Sequence, residues 1–261
     1  MITMQLDGNR QAAFIWIPLE MKTEQELLFK RLNERFVRAF ATYHLLEDGD
    51  HVLVGLSGGK DSLLLTELLA KRARISRPQF KVEAVHVRME NISYETSADY
   101  LQQFCADLGV PLHVVTTRFE ASDQKPPCFL CSWNRRKQIF NLAQELGCNK
   151  MALGHHRDDI IHTALMNLTF QGRFGTMPAL LRMRKMPLSI IRPLCLIDEA
   201  DVRRYAELAG YQKLLKLCPY ERETNRAAIA QLYADMERMN PEARYSVWNA
   251  LEAEGKLVEI S

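Results

Sequence analysis

Three short stretches of this 261-residue chain carry side chains of the kind that do chemistry. The first is Gly55-Leu56-Ser57-Gly58-Gly59-Lys60-Asp61-Ser62. Adjacent glycines let backbone amides turn inward without Cβ clashes, Ser57 and Ser62 offer hydroxyls, and a helix that follows adds the positive end of its dipole. Those are parts that hold a pyrophosphate. Three residues, where a Walker A loop has four, separate Gly55 from Gly59-Lys60, and Asp61 stands where that loop has Ser or Thr. The spacing disfavours cleavage at a γ-phosphate.

The second stretch is Gly154-His155-His156-Arg157-Asp158-Asp159, whose paired carboxylates could hold Mg²⁺ and position phosphates. The same two carboxylates would also complement a helix N-terminus. The third is Pro127-Cys128-Phe129-Leu130-Cys131. A C-x-x-C pair can chelate a metal, run redox chemistry or simply be buried, and zinc would need two further ligands. Cys105 and Cys148 fall in or just after helical patterns and Cys195 at an apolar strand end, so these three read as core. Cys218, in a loop before Pro219, is the plausible distant third thiolate.

The surrounding pattern says what positions these groups. An amphipathic helix is expected over residues 22–45, from Leu27, Leu28, Leu32, Phe36 and Phe40. Strands are expected at 51–56, 82–87, 112–116 and 151–153, and helices at 62–72, 96–108, 133–146, 158–170 and 198–210, with a helical stretch from about Arg222. This alternation predicts an α/β fold with a doubly wound parallel sheet. The phosphate loop then lies between the first strand and its helix, and the Gly154 stretch at a strand end, where such sheets bind ligands. Residues 22–261 read as one domain and 1–21 as an N-terminal extension, with Met21 an alternative start.

Composition narrows the function. An apolar fraction of 47% suits a compact fold, and 34 basic against 32 acidic residues give a net charge of +2, which excludes an acidic tail or a histone-like wrapper. No run reaches the roughly 18–20 apolar residues of a membrane span, and the run 12–19 lacks a signal-peptide pattern. A cytoplasmic protein with reduced thiols is expected. Any nucleic-acid binding must come from a local patch. Between Asp159 and Asp198 there is no acidic residue, while Arg173, Arg182, Arg184, Lys185 and Arg192 all occur; with Arg135, Arg136 and Lys137 they could form an RNA path.

Ser57-Gly58-Gly59-Lys60-Asp61-Ser62 resembles the signature of the PP-loop ATPase superfamily, adenylating enzymes that split ATP into AMP and pyrophosphate. The resemblance implies a nucleotide held by the loop backbone, by main-chain groups near Leu56 and Val87, by Gly154 and His155, and by Mg²⁺. The paired His and Asp of the Gly154 stretch resemble the second block of the PP-loop tRNA-modifying enzymes. Cys128, Cys131, Arg135-Arg136, His155 to Asp159, Gly172 with Met177-Pro178, Ile191-Arg192-Pro193-Leu194 and Cys218 recur in the order of the tRNA 2-thiocytidine synthetases. That likeness spans about Leu27 to Leu251. Two departures stand out: a shorter segment before the C-x-x-C, and Leu215 where the family has a further cysteine.

The resemblance implies ligation of a [4Fe-4S] cluster by Cys128, Cys131 and Cys218, with a fourth iron open to bind sulfur. It implies adenylation of the C2 oxygen of a cytidine in a tRNA anticodon loop, then replacement of that oxygen by sulfur from a cysteine desulfurase or other sulfide donor. Asp61, Asp158 and Asp159 would orient ATP and Mg²⁺, and Lys60 would neutralise charge developing on the phosphates. Arg135, Arg136, Arg173, Arg182, Arg184 and Lys185 would hold RNA. Two rival readings are a related thiolase acting on a small molecule or another base, and a non-catalytic iron-sulfur or nucleotide sensor. A homodimer is one arrangement open to the chain.

Overall fold

The structure is a computed structural model that describes residues 23–94, 99–120, 126–214, 216–217 and 225–260. The expected extension at 1–21 and Cys218 lie outside these residues. Helix α1 (Glu24–Tyr43) opens with a capping box, Thr23 accepting from the Glu26 amide while the Glu26 carboxylate accepts from the Thr23 amide, and buries Leu28, Leu32, Phe36 and Phe40 at helical spacing. There follow β1 (His51–Gly55), α2 (Lys60–Ala73), β2 (Lys81–Met89), β3 (Ser93–Tyr94), α3 (Asp99–Leu108), β4 (Leu112–Thr117), α4 (Pro127–Glu145), β5 (Lys150–Ala152) and α5 (Arg157–Gln171). The chain continues through β6 (Leu180–Arg182), β7 (Ser189–Ile191), α6 (Glu199–Leu208), β8 (Lys216–Leu217), α7 (Asn225–Met239), α8 (Ala243–Ala253) and β9 (Val258–Ile260).

Among the described residues the main sheet has the order β4-β2-β1-β5-β7-β6-β9. From β4 to β7 all pairings are parallel. Strand β1 is an unbroken apolar centre, Val52, Leu53 and Val54 being fully buried, as expected of a parallel strand covered on both faces. The order reverses at β1, which has β2 on one side and β5 on the other, so a crevice opens at their carboxyl ends. The α/β doubly wound expectation holds for these five strands. It does not extend to the far edge, where β6 runs antiparallel to β7 and β9 runs parallel to β6.

Three further differences have local causes. Helix α4 starts at Pro127, not near Trp133, because a proline at the first helical position loses no intrahelical bond and has its φ already set. The cysteine pair is therefore part of a helix. The C-terminal helical stretch is two helices, parted at Asn240-Pro241, since proline cannot continue the first. Strands β3, β6, β8 and β9 are unexpected, and the strand expected to end at Cys195 forms only as β7, ending at Ile191: at two or three residues each they are too short to show a period.

Behind the crevice a charged cluster ties the helices together. Asp198, the N-cap of α6, receives Arg35 Nη1 at 2.9 Å from α1, Arg157 Nη1 at 3.2 Å from α5 and Arg244 Nη1 at 3.0 Å from α8. Asp158 belongs to this cluster. Its Oδ2 accepts from the Glu199 amide at 2.8 Å and so caps the first turn of α6.

Candidate nucleotide site and cysteine pair

A cavity of about 440 Å³ occupies the crevice. Gly55, Leu56, Ser57, Gly59, Asp61 and Ser62 line one wall, Val85, His86 and Val87 a second, and Leu153, Gly154, His155 and Asp159 a third. The phosphate loop and the Gly154 stretch, about ninety residues apart in sequence, thus share one cavity. Gly154 makes this possible: a Cβ there would lie 3.0 Å from the Asp61 carbonyl carbon and 3.0 Å from the Ser62 amide nitrogen. Any side chain would wedge the two loops apart.

The N-terminus of α2 points to an anion. Helices α1 and α5 close their first turns with side-chain capping boxes, whereas α2, with Gly59 at the N-cap, has no side-chain cap. Its first amides lie at the positive end of the helix dipole, beside the cavity, where an anion is favoured. Ser62 Oγ donates to the Gly59 carbonyl at 2.9 Å and lies 3.1 Å from Ser57 Oγ, which stiffens the turn. Gly58 takes φ +83°, and its carbonyl accepts from the Leu214 amide at 3.0 Å. The segment before β8 is thereby strapped onto the loop.

His156, the N-cap of α5, brings the carboxylates together. Its Nδ1 accepts from the Asp159 amide at 3.3 Å, and its Nε2 lies 3.4 Å from Asp159 Oδ2 and 3.8 Å from Asp61 Oδ1. Asp61 Oδ1 is buried with Lys60 Nζ at 3.1 Å as a charge partner, yet accepts no well-directed hydrogen bond. Two carboxylates from two helix N-termini, one with an oxygen lacking a directed donor, make an oxygen donor set suited to Mg²⁺.

Two histidines in the cavity are held neutral. Burial lowers the His86 pKa against the opposing hydrogen bond of Nδ1 to the Leu56 carbonyl at 2.8 Å, and nearby Arg135 and Arg88 lower it further. Burial, with the Arg192 guanidinium, pushes His155 down to about 4. Arg192 Nε donates to His155 Nδ1 at 3.3 Å and Arg192 Nη1 to the Pro178 carbonyl at 2.5 Å, leaving His155 Nε2 as the nitrogen that carries the proton.

The remaining expected residues divide. Arg135, on α4, lines the cavity, but Lys60 and Asp158 do not. Lys60 Nζ faces Asp61 and, at 3.4 Å, Glu199 Oε1 on α6. The basic residues do not form one path. Since β6 runs antiparallel to β7, Arg182 pairs with Ser189, which places it and the following Arg184 and Lys185 towards the amino end of the parallel strands, opposite the cavity. Arg173 follows the C-cap of α5, and Arg136 is exposed on α4 with its Nε donating to the Ser132 carbonyl at 3.3 Å. The cavity is instead completed by His86, Lys213 and Arg226, which sequence reasoning missed.

Cys128 and Cys131 lie in the first turns of α4, four to seven residues from Arg135 in the cavity wall, or about 6–10 Å along the helix. Both are thiols, Cys128 exposed and Cys131 half-buried against Met89, Ile92 and Phe119. Ile92 precedes Ser93, which pairs with Leu217, and Leu217 precedes Cys218 by one peptide bond. The pairing of β3 with β8 therefore joins Lys216 and Leu217 to the strand that follows Ile92, and Cys218 itself lies outside the described residues. Among the described residues no group of three His, Cys, Asp or Glu is arranged for a metal ion. Among the described residues the fit to a thiolate-held cluster rests on the Cys128 and Cys131 pair at the start of α4. Cys105, Cys148 and Cys195 are buried, burial pushing their thiols to about 11, 11 and 12. Buried, protonated thiols of this kind are poor ligands.

Comparison with known proteins agrees with this geometry. The PP-loop domain family matches residues 28–250. A tRNA-cytidine(32) 2-sulfurtransferase of Bordetella avium is 36% identical over 236 residues, covering 87% of this chain and 74% of the relative. One from Pseudomonas fluorescens is 32% identical over 239 residues, covering 89% and 86%. The structure of a U34-tRNA thiolase, NcsA from Methanococcus maripaludis with its [4Fe-4S] cluster, superposes with a TM-score of 0.71 at 26% identity, covering 88% of this chain and 79% of that one. The chain belongs to the PP-loop family and, within it, to the tRNA-cytidine 2-sulfurtransferases.

Proposed function

We propose that the chain is an ATP-dependent tRNA-cytidine 2-sulfurtransferase, acting on an anticodon-loop cytidine in the cytoplasm and drawing sulfur from a cysteine desulfurase or other sulfide donor. One observation carries the reading: α4 holds the cysteine pair at its N-terminus and contributes Arg135 and Ile139 to the wall of the nucleotide cavity. Activation and sulfur delivery would then meet on one helix.

The carbonyl oxygen at C2 is a poor leaving group. In the first step that oxygen bonds to the α-phosphorus of ATP and pyrophosphate departs. The α2 amides and Ser57 and Ser62 would hold the phosphates, Asp61 and Asp159 would hold Mg²⁺, and Lys213 and Arg226 would offset charge on the leaving pyrophosphate. Neutral His155 and His86 present ring nitrogens without adding positive charge. In the second step a sulfide adds to C2 and AMP leaves with the original oxygen. Cys128, Cys131 and Cys218 would hold a [4Fe-4S] cluster, which would supply sulfur for this replacement. Arg135, between the cavity and the cysteines, would orient the adenylated base.

Purified protein given tRNA and α-labelled ATP should release AMP and pyrophosphate in equal amounts, dependent on RNA. ADP and phosphate as the main products would contradict the adenylation chemistry. Pyrophosphate release with a small acceptor alone would favour the small-molecule rival.

A further inference from the structure

One face of α4 has no part in the cavity or the core. Phe129, Trp133, Arg136 and Lys137 recur at one-turn spacing and are all exposed, forming a stripe down the helix. Phe129 is 43% and Trp133 48% exposed, large values for aromatic side chains on the first turns of a helix. Leu130 and Cys131 pack against Met89, Ile92 and Phe119 on one side of this stripe, and on its other side Arg135 and Ile139, each seven residues from the exposed Cys128 and Ser132, turn towards the cavity. Two exposed rings are therefore aligned with an exposed cysteine at one end and two cations at the other.

Charge decides which partner fits. Helix α4 has no carboxylate before Glu145, its last residue, and its N-terminus adds a positive dipole. Lys137 Nζ lies 5.4 Å from the centroid of the Trp133 ring, so the aromatic surface is itself beside a cation. Aromatic rings interleaved with cations are how proteins hold unpaired nucleotides, the rings stacking on bases and the cations meeting phosphates. Rings at i and i+4 sit about 6 Å apart along the axis, within reach of neighbouring nucleotides of one loop.

We propose that Phe129 and Trp133 form a stacking platform for unpaired bases next to the target cytidine of a single-stranded RNA loop, with Arg136 and Lys137 on the adjoining phosphates. The inference rests on the proposed function and adds a binding surface to it. A base must leave its stack before its C2 oxygen can react, and the platform replaces the lost stacking partner with a protein ring one turn from the cysteines.

The test uses the full chain and an RNA stem-loop with an unpaired cytidine. Trp133→Ala should raise the Kd for that RNA about 5- to 150-fold, the span that base–aromatic stacking provides. Phe129→Ala should act in the same direction. Trp133→Phe and Trp133→Tyr should bind nearly as wild type, and ATP affinity should be unchanged throughout. RNA should quench the tryptophan fluorescence of a Trp16→Phe chain, and the quench should disappear when Trp133→Phe is added, because the remaining Trp248 is buried beneath Arg157. Unchanged RNA affinity in both alanine variants would overturn the platform. So would a thiolation defect seen with a protein sulfur donor but relieved by sodium sulfide, which would make the stripe a docking face for that donor. A wild-type protein that binds RNA with quenching yet never thiolates it would leave the platform standing and remove the proposed function. Thiolation by wild type with unchanged KM in the stripe variants would do the reverse.

Discussion

Replacing Cys128 or Cys131 by alanine should abolish sulfur transfer while leaving ATP binding intact. Anaerobically isolated wild-type protein is expected to hold about four irons per chain, as one [4Fe-4S] cluster requires. Losing a cluster ligand should remove the iron and lower thiolation by more than about 100-fold, since even groups that only orient metal ligands are worth 10- to 100-fold. Cys218→Ala should behave alike, whereas Cys105→Ala and Cys148→Ala should keep their iron, their thiols being buried and held protonated. Iron assay and the visible absorption spectrum check this directly. Full iron in Cys128→Ala and Cys131→Ala would refute the ligand set. ATP affinity serves as the control, because neither cysteine lines the nucleotide cavity.

The second large effect is expected at Gly58. An alanine there would occupy φ +83° and bring its Cβ within 2.5 Å of Leu214 Cβ, breaking the fit between the phosphate loop and the segment strapped over it. The left-handed conformation alone costs about 1–2 kcal/mol for a residue with a Cβ. The clash adds to that and falls on a ligand-binding turn. ATP affinity should fall at least about tenfold, equivalent to 1.4 kcal/mol. Gly109→Ala provides the comparison: it carries similar strain at φ +69° in open space, away from the cavity. It should lose stability without losing affinity for ATP. Equal affinities in the two variants would show that the Gly58 contact does not shape the site.

The phosphate loop is legible in the sequence because Gly58, Gly59 and Ser62 follow a five-residue apolar strand and precede a helix, an arrangement that dictates both place and chemistry. The Gly154 stretch is legible as a ligand-facing loop, but the division of labour between its carboxylates is not. Asp158 caps α6 and Asp159 reaches the cavity, a difference set by a helix forty residues later.

Lys213 and Arg226 carry no local signal, since the topology alone brings their segments over the crevice. His86 is hidden for another reason: between Val85 and Val87 it reads as one position of a buried strand. The basic run from Arg173 to Arg192 misleads in the opposite way. Proximity in sequence suggests a patch, but the reversal of β6 against β7 carries Arg182, Arg184 and Lys185 away from the nucleotide. A charge run predicts a surface only once the strand direction is known.

In the proposed function one cavity activates a tRNA cytidine with ATP and the adjoining cysteines deliver sulfur to it. Mass spectrometry of nucleosides from tRNA incubated anaerobically with the iron-loaded protein, Mg²⁺-ATP and sulfide tests it most directly. The expected result is one 2-thiocytidine per tRNA, dependent on ATP and accompanied by one AMP. ATP consumed to AMP with every cytidine of the tRNA left unmodified would contradict it.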